Sequence, residues 1–258
     1  MHGTTHVLPR SAAVVTLFAA LVLAGCSGPG REVDPGPGAA RTDAGVSGNR
    51  AGEPAPAEPS PDAQVGLANT ALVSESFHSS GTSTAFPGAK QEMWWEPAGG
   101  LRLRVTGSVS GDMYCDGGTS YTSAPLFAAS LTSRGQSVTV PGRLEDTYVS
   151  TVLDTGCEVY FSIPATAKPA PDKDRGIDGG KALAYEASGA GTRDVYYLPD
   201  LSSPPKGAVR LGPLRLESTR SGRTSVTTYD SYGESFSITM PPESKIMTVE
   251  EFRAAVQG

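Results

Sequence analysis

Cys26 closes the run Leu23-Ala24-Gly25-Cys26, and its thiol is the side chain whose neighbours most clearly specify a reaction. A leucine, two small residues and a cysteine after an apolar stretch form a lipobox, where a lipid is attached to the cysteine and everything before it is removed. The preceding residues have the parts of a signal peptide: Arg10 as the firm cation, an apolar core at 12–23, and small residues at the cut. That core is shorter than the roughly 20 apolar residues of a membrane span. The pattern predicts a lipoprotein signal peptide at 1–25 and palmitate-type acyl chains on Cys26. Each buried methylene contributes about 0.8 kcal/mol, so several chains together hold a protein at the outer face of a cell membrane. The plainer reading is an ordinary secretory signal followed by a free thiol, which would be a chemical liability at the start of an exported chain.

Other constellations offer less. His2 and His6 depart with the signal and leave His78, expected at the surface. Ser-His-Asp or Cys-His catalysis would need that one residue in place, and multi-histidine zinc sites are excluded by number. Cys115 and Cys157 are an even remainder in an exported chain, which reads as a disulfide. Such a bridge closes a loop of roughly forty residues and contributes about 4 kcal/mol in the chain-entropy picture; two free thiols are the other option. Asp172, Asp174 and Asp178 suggest calcium, but Gly176 and Leu183 fall where an EF-hand needs ligands, and Lys173 and Arg175 neutralise the site. Ser203-Pro204-Pro205-Lys206 spells S-x-x-K, yet its prolines break the required helix and its companion motifs do not occur. Glu92 and Glu96 flank Trp94-Trp95 as in a sugar hydrolase, although an exposed strand face accounts for both equally well. These weigh against an enzyme, and no metal or cofactor is expected.

Composition sets the frame. Residues 26–61 are rich in Pro, Gly and Ala and have almost nothing to bury, so they read as a disordered tether. Residues 62–258 suit a single domain. The chain carries −6, and losing Arg10 makes the remainder one unit more acidic. Without a basic stripe it is a poor partner for nucleic acid, and its own surface does not favour an anionic membrane. The acyl anchor must supply that attachment.

Periodicity predicts a helix from about Asp62, fading by Phe77, with Val65, Ala68 and Leu72 on one stripe beside Leu67 and Ala71. Strands are predicted at 91–96, 101–106, 158–163, 210–217 and 235–240, mostly with one apolar face. Such alternation argues for an antiparallel sheet covered on one side. Breaks at 97–100 and 188–191 fit hairpin turns. Short helices are predicted at 123–129 and 144–153, the second with Leu144, Tyr148, Val149 and Val152 together. Residues 168–180 read as a charged loop, and Thr248 to Phe252 as a capping-box start to a helix burying Val249, Phe252 and Val256.

The segments Lys181-Ala182-Leu183-Ala184-Tyr185-Glu186, Arg193-Asp194-Val195-Tyr196-Tyr197-Leu198, 201–206 and Thr227-Thr228-Tyr229-Asp230-Ser231-Tyr232-Gly233-Glu234-Ser235-Phe236, with Pro241, form a pattern. With Gly111-Asp112-Met113-Tyr114 it resembles the LppX/LprG-type (LolA-like) actinobacterial lipoproteins, over roughly residues 65–240. The resemblance implies an α+β fold, a curved antiparallel half-barrel with helices across its concave face, and a hydrophobic cavity for lipids under the sheet. Trp95, Leu103, Val105, Phe161, Phe236 and Ile238 are then candidates to line that cavity, the other option being that they are core. The Cys115–Cys157 pair stands outside the family pattern and would brace the helical insert or narrow the cavity. Two functions are expected: a membrane-anchored binder or carrier of a lipid or other hydrophobe, or a non-catalytic envelope sensor that docks on a protein partner.

Overall fold

The computed structural model describes residues 60–202 and 210–257. The signal peptide, Cys26, nearly all of the predicted tether and the Ser203–Lys206 motif lie outside them.

Helix α1 (Pro61–Ser74) begins where the Ser60 hydroxyl accepts the Ala63 N–H, with proline in the first turn, where no helical N–H is required. It ends at Ser74, earlier than the periodicity implies, because Phe77 is taken by the sheet opposite Trp95. The strands are β1 (Phe77–Thr82), β2 (Lys90–Glu96), β3 (Gly100–Thr106), β4 (Gly111–Asp116), β5 (Thr119–Ser123), β6 (Tyr148–Val152), β7 (Lys168–Pro169), β8 (Arg175–Ile177), β9 (Gly180–Gly189), β10 (Thr192–Pro199), β11 (Arg215–Arg220), β12 (Arg223–Asp230) and β13 (Ile246–Thr248). Helix α2 (Ala124–Thr132) follows β5 and α3 (Val249–Gln257) ends the described chain. The strands form one open, curved sheet in the order β13-β6-β5-β4-β3-β2-β1-β12-β11-β10-β9-β7, with β8 also on β9. Among the described residues every pairing is antiparallel except β13 on β6.

Register sorts the side chains. Phe77, Met93, Trp95, Leu101, Leu103, Val105, Met113 and Cys115 share the concave face, with Tyr229, Tyr196 and Tyr185 further along. Trp94, Arg102 and Tyr114 share the other face. Val65, Ala68 and Leu72 of α1 press onto the concave side, and so do Cys157, Phe161, Ile163 and Ala167. Phe77, Leu72 and Leu101 are fully buried there, each contributing about 1.5–3 kcal/mol of transfer free energy. Polar latches fix the cover. Gln64 donates to the Pro199 carbonyl and accepts from the Tyr185 hydroxyl. Asn69 and the Ile163 backbone exchange two hydrogen bonds, and the Trp95 indole donates to the Val73 carbonyl. The Cys115–Cys157 disulfide, predicted from parity, sits in this core. The predicted capping box holds too: the Glu251 carboxylate accepts the Thr248 N–H, and the Thr248 hydroxyl accepts the Glu251 N–H.

The strand predicted at 210–217 begins only at Arg215, and four further elements differ from expectation. Residues 144–153 form a short turn and then β6, not a helix. The run Tyr-Val-Ser-Thr-Val is β-branched, and its apolar spacing suits either period. In consequence Tyr148 and Val152 face away from Val149, and Val152 is 80% exposed. Residues 158–163 are a 3-10 turn (Cys157–Tyr160) leading into a strap rather than a strand, since the disulfide pins Cys157 beneath the sheet. Residues 235–240 also pair with no strand. Their alternation is real, but Phe236, Ile238 and Met240 rest on the sheet's outer face. The Glu96 carboxylate accepts the Phe236 N–H, and the Met240 methyl lies so close over Gly100 that a Cβ there would meet it at 2.9 Å. The loop at 168–180 contains β7 and β8, which edge the sheet.

Candidate functional site

An apolar groove of about 570 Å³ opens on the concave side at the α2 end of the sheet. Two strand turns form one wall. Phe86 and Pro87 come from the β1–β2 turn, Ser108 and Val109 from the β3–β4 turn, and the Ser108 hydroxyl donates to the Pro87 carbonyl at 2.7 Å. Ala128, Ala129 and Thr132 of α2 form the other wall. The chain leaves α2 through Gly135, whose φ of 84° suits glycine, and Val138 and Val140 return along the groove. Below it, buried Ala89, Val105 and Leu126 form a small cluster with partly buried Phe86, Leu103 and Val109. Among the described residues no ionisable side chain lines the groove. Its size falls in the usual range for small-ligand sites, and its walls can hold an apolar chain.

The six cavity candidates separate into three places. Leu103 and Val105 lie beneath this groove. Trp95 and Phe161 lie in the central core with ring centroids 5.0 Å apart, and Phe161 also meets Phe77 edge-on at 5.4 Å. Phe236 and Ile238 lie on the outer face, half-buried. The groove's own Phe86, Val138 and Val140 sit in turns where periodicity is silent. Their only signal is an apolar residue beside proline: Phe86-Pro87 and Val140-Pro141.

His78 is not the open surface residue expected from its serine-rich surroundings; its side chain is 18% exposed. Asp230 accepts from Nδ1 at 2.8 Å, Glu92 lies 3.9 Å from Nε2, and the ring stacks on Trp94 with centroids 5.1 Å apart. Among the described residues no hydrogen bond joins it to a serine, threonine or cysteine. Glu96 is occupied by the strap. Asp174 accepts the Ala184 N–H and Lys181 lies between it and Asp200, so the Asp174 carboxylate is already answered. A smaller recess of about 230 Å³ lies between Gln64, Tyr185 and Asp200. The Ser202 hydroxyl, its N–H and Lys181 hold the Asp200 carboxyl below its usual pKa.

No family model matches the chain, and no curated protein matches it. Among solved structures it is similar to an uncharacterized conserved protein from Thermus thermophilus, at 7% identity over 72% of this chain and 97% of that one, with a TM-score of 0.44. It is also similar to LprF from Mycobacterium bovis, at 15% identity over 71% and 99% of the two chains, TM-score 0.39. The Mycobacterium tuberculosis lipoprotein LppX is similar at 8% identity over 69% and 97%, TM-score 0.41.

Proposed function

We propose that this chain is a non-catalytic lipoprotein of the cell envelope, held to a membrane by acyl chains on Cys26, that binds or carries a hydrophobic ligand such as a fatty acyl chain in the α2 groove. The observation that carries this reading is the uncharged groove itself, open to solvent beside a core that is otherwise packed. Burying apolar ligand surface there is favourable by about 25 cal/mol per Å², and residues without charges impose no headgroup chemistry.

The test is mass spectrometry of non-covalent lipids extracted from the full chain purified from membranes, the Cys26 acyl chains staying with the protein. Lipid recovered from the wild type, and reduced severalfold by Val138→Asp but not by Val152→Asp, supports the reading. Ligand-free protein, or equal loss in both variants, would contradict it.

A protein-docking role is the second reading. It draws on the filled centre of the concave face and on the outward side of α1, where Leu67 and Val73 remain exposed. A crosslinking pull-down with one dominant envelope partner, lost on Val73→Glu, would favour it.

A further inference from the structure

The segment Ser137-Val138-Thr139-Val140, which returns along the α2 groove, is held differently from the covers over the middle of the sheet. Those are fixed by hydrogen bonds from Gln64 and Asn69 and by the disulfide. Among the described residues, neither the backbone nor the side chains of 137–140 form a hydrogen bond. The last backbone bond before the segment runs from the Gln136 N–H to the Leu131 carbonyl, and the next after it from the Leu144 N–H to the Pro141 carbonyl. Its own N–H groups and carbonyls are left to water.

What holds it is apolar. Val138 and Val140 alternate with exposed Ser137 and Thr139. The two valines are half-buried against the cluster that contains Phe127, Ala128 and Leu131 of α2, and they also line the groove. A glycine stands at either end with room to turn: Gly135, at positive φ, and Gly142, and a Cβ on either would meet nothing within 4 Å. Moving this strap breaks no hydrogen bond; two valines change neighbours. Such segments open locally at low cost. An apolar chain in the groove would give the half-exposed valines a surface to cover.

We propose that residues 137–140 are a lid, which turns about Gly135 and Gly142 and closes over an apolar chain bound in the α2 groove. A lid presupposes the ligand proposed for that groove and adds the control of its release.

A nitroxide on Thr139→Cys in the full chain, followed by electron paramagnetic resonance during titration with oleate, tests it. Cys115 and Cys157 are bridged and take no label. The label is expected to be mobile in the free protein and immobilised as oleate saturates, while the same label on Val152→Cys, at an exposed strand end, does not change. Gly142→Ala is expected to slow oleate release about 2–5-fold without loss of thermal stability, because alanine restricts the freely moving open strap more than the closed one. Saturable binding that leaves the Thr139 label mobile, that immobilises both labels alike, or that is released from Gly142→Ala at the wild-type rate overturns the lid and leaves the groove's binding role standing. Absence of saturable binding overturns both.

Discussion

The middle of the sheet and its α2 end present similar apolar residues to the same face, yet only the middle is sealed. Under α1, Phe77, Leu72 and Leu101 are fully buried, and the cover is latched by Gln64, Asn69 and a disulfide. At the α2 end, Phe86, Val138 and Val140 line an open groove with nothing packed over it among the described residues. The polar latches make the difference. A cover that satisfies buried carbonyls is held in one position, because leaving such groups unmatched costs about 1–3 kcal/mol each. The groove has no such groups, so nothing specifies a protein cover for it. One region is sealed by packing and polar latches, and the other stays open.

Core truncation tests that contrast hardest. Phe77→Ala is expected to cost about 3–5 kcal/mol in urea unfolding, whereas Phe86→Ala, on a half-exposed turn, should cost under about 1.5 kcal/mol. Equal losses would erase the distinction. Alkaline pH attacks the sealed region, whereas among the described residues no tyrosine lines the groove. Burial raises the hydroxyl pKa of Tyr196 and of Tyr229 above the usual value. Both therefore stay neutral in the folded chain while the unfolded chain ionises above about pH 10. Stability is thus full below that value and is expected to fall by about 1.4 kcal/mol per pH unit for each tyrosine above it. Replacing both with Phe should reduce the slope in denaturation against pH, with a remainder from Tyr232, whose hydroxyl pKa burial also raises. Opening the bridge with Cys115→Ser and Cys157→Ser should lower stability by about 2–4 kcal/mol and leave groove binding intact. Gln64→Leu removes the two hydrogen bonds that Gln64 makes from α1 and should cost about 1–3 kcal/mol, read as faster amide exchange in α1. Thr248→Ala at the capping box is the smallest change, about 1 kcal/mol in thermal unfolding.

The strand at 101–106 is legible because alternation over that length leaves one period available, and its register against 91–96 confirms which residues share a face. Parity gave the disulfide, and Thr248 with Glu251 gave the start of α3. Residues 235–240 show where such reading ends. Alternation reports that Phe236, Ile238 and Met240 face one way, but not whether they face across a strand ladder or down onto the flat of a sheet. Tyr148 and Val149 suit one helix side as well as opposite strand faces, because so short a run cannot separate two periods. The groove was illegible for a different reason. It exists only where Val138 and Val140 fold back beside α2, and a void between elements leaves no mark in the residues of any one of them. Trp95 and Phe161 had the right chemistry for a cavity wall, and instead they pack on each other.

A photoactivatable fatty acid crosslinked to the purified full chain, with the adduct located by peptide mass spectrometry, tests the central claim most directly. Adducts on the peptides carrying Phe86, Val109 or Val138 are the predicted result. Adducts confined to α1 and the 157–167 strap, or none that excess unlabelled fatty acid competes away, would contradict it.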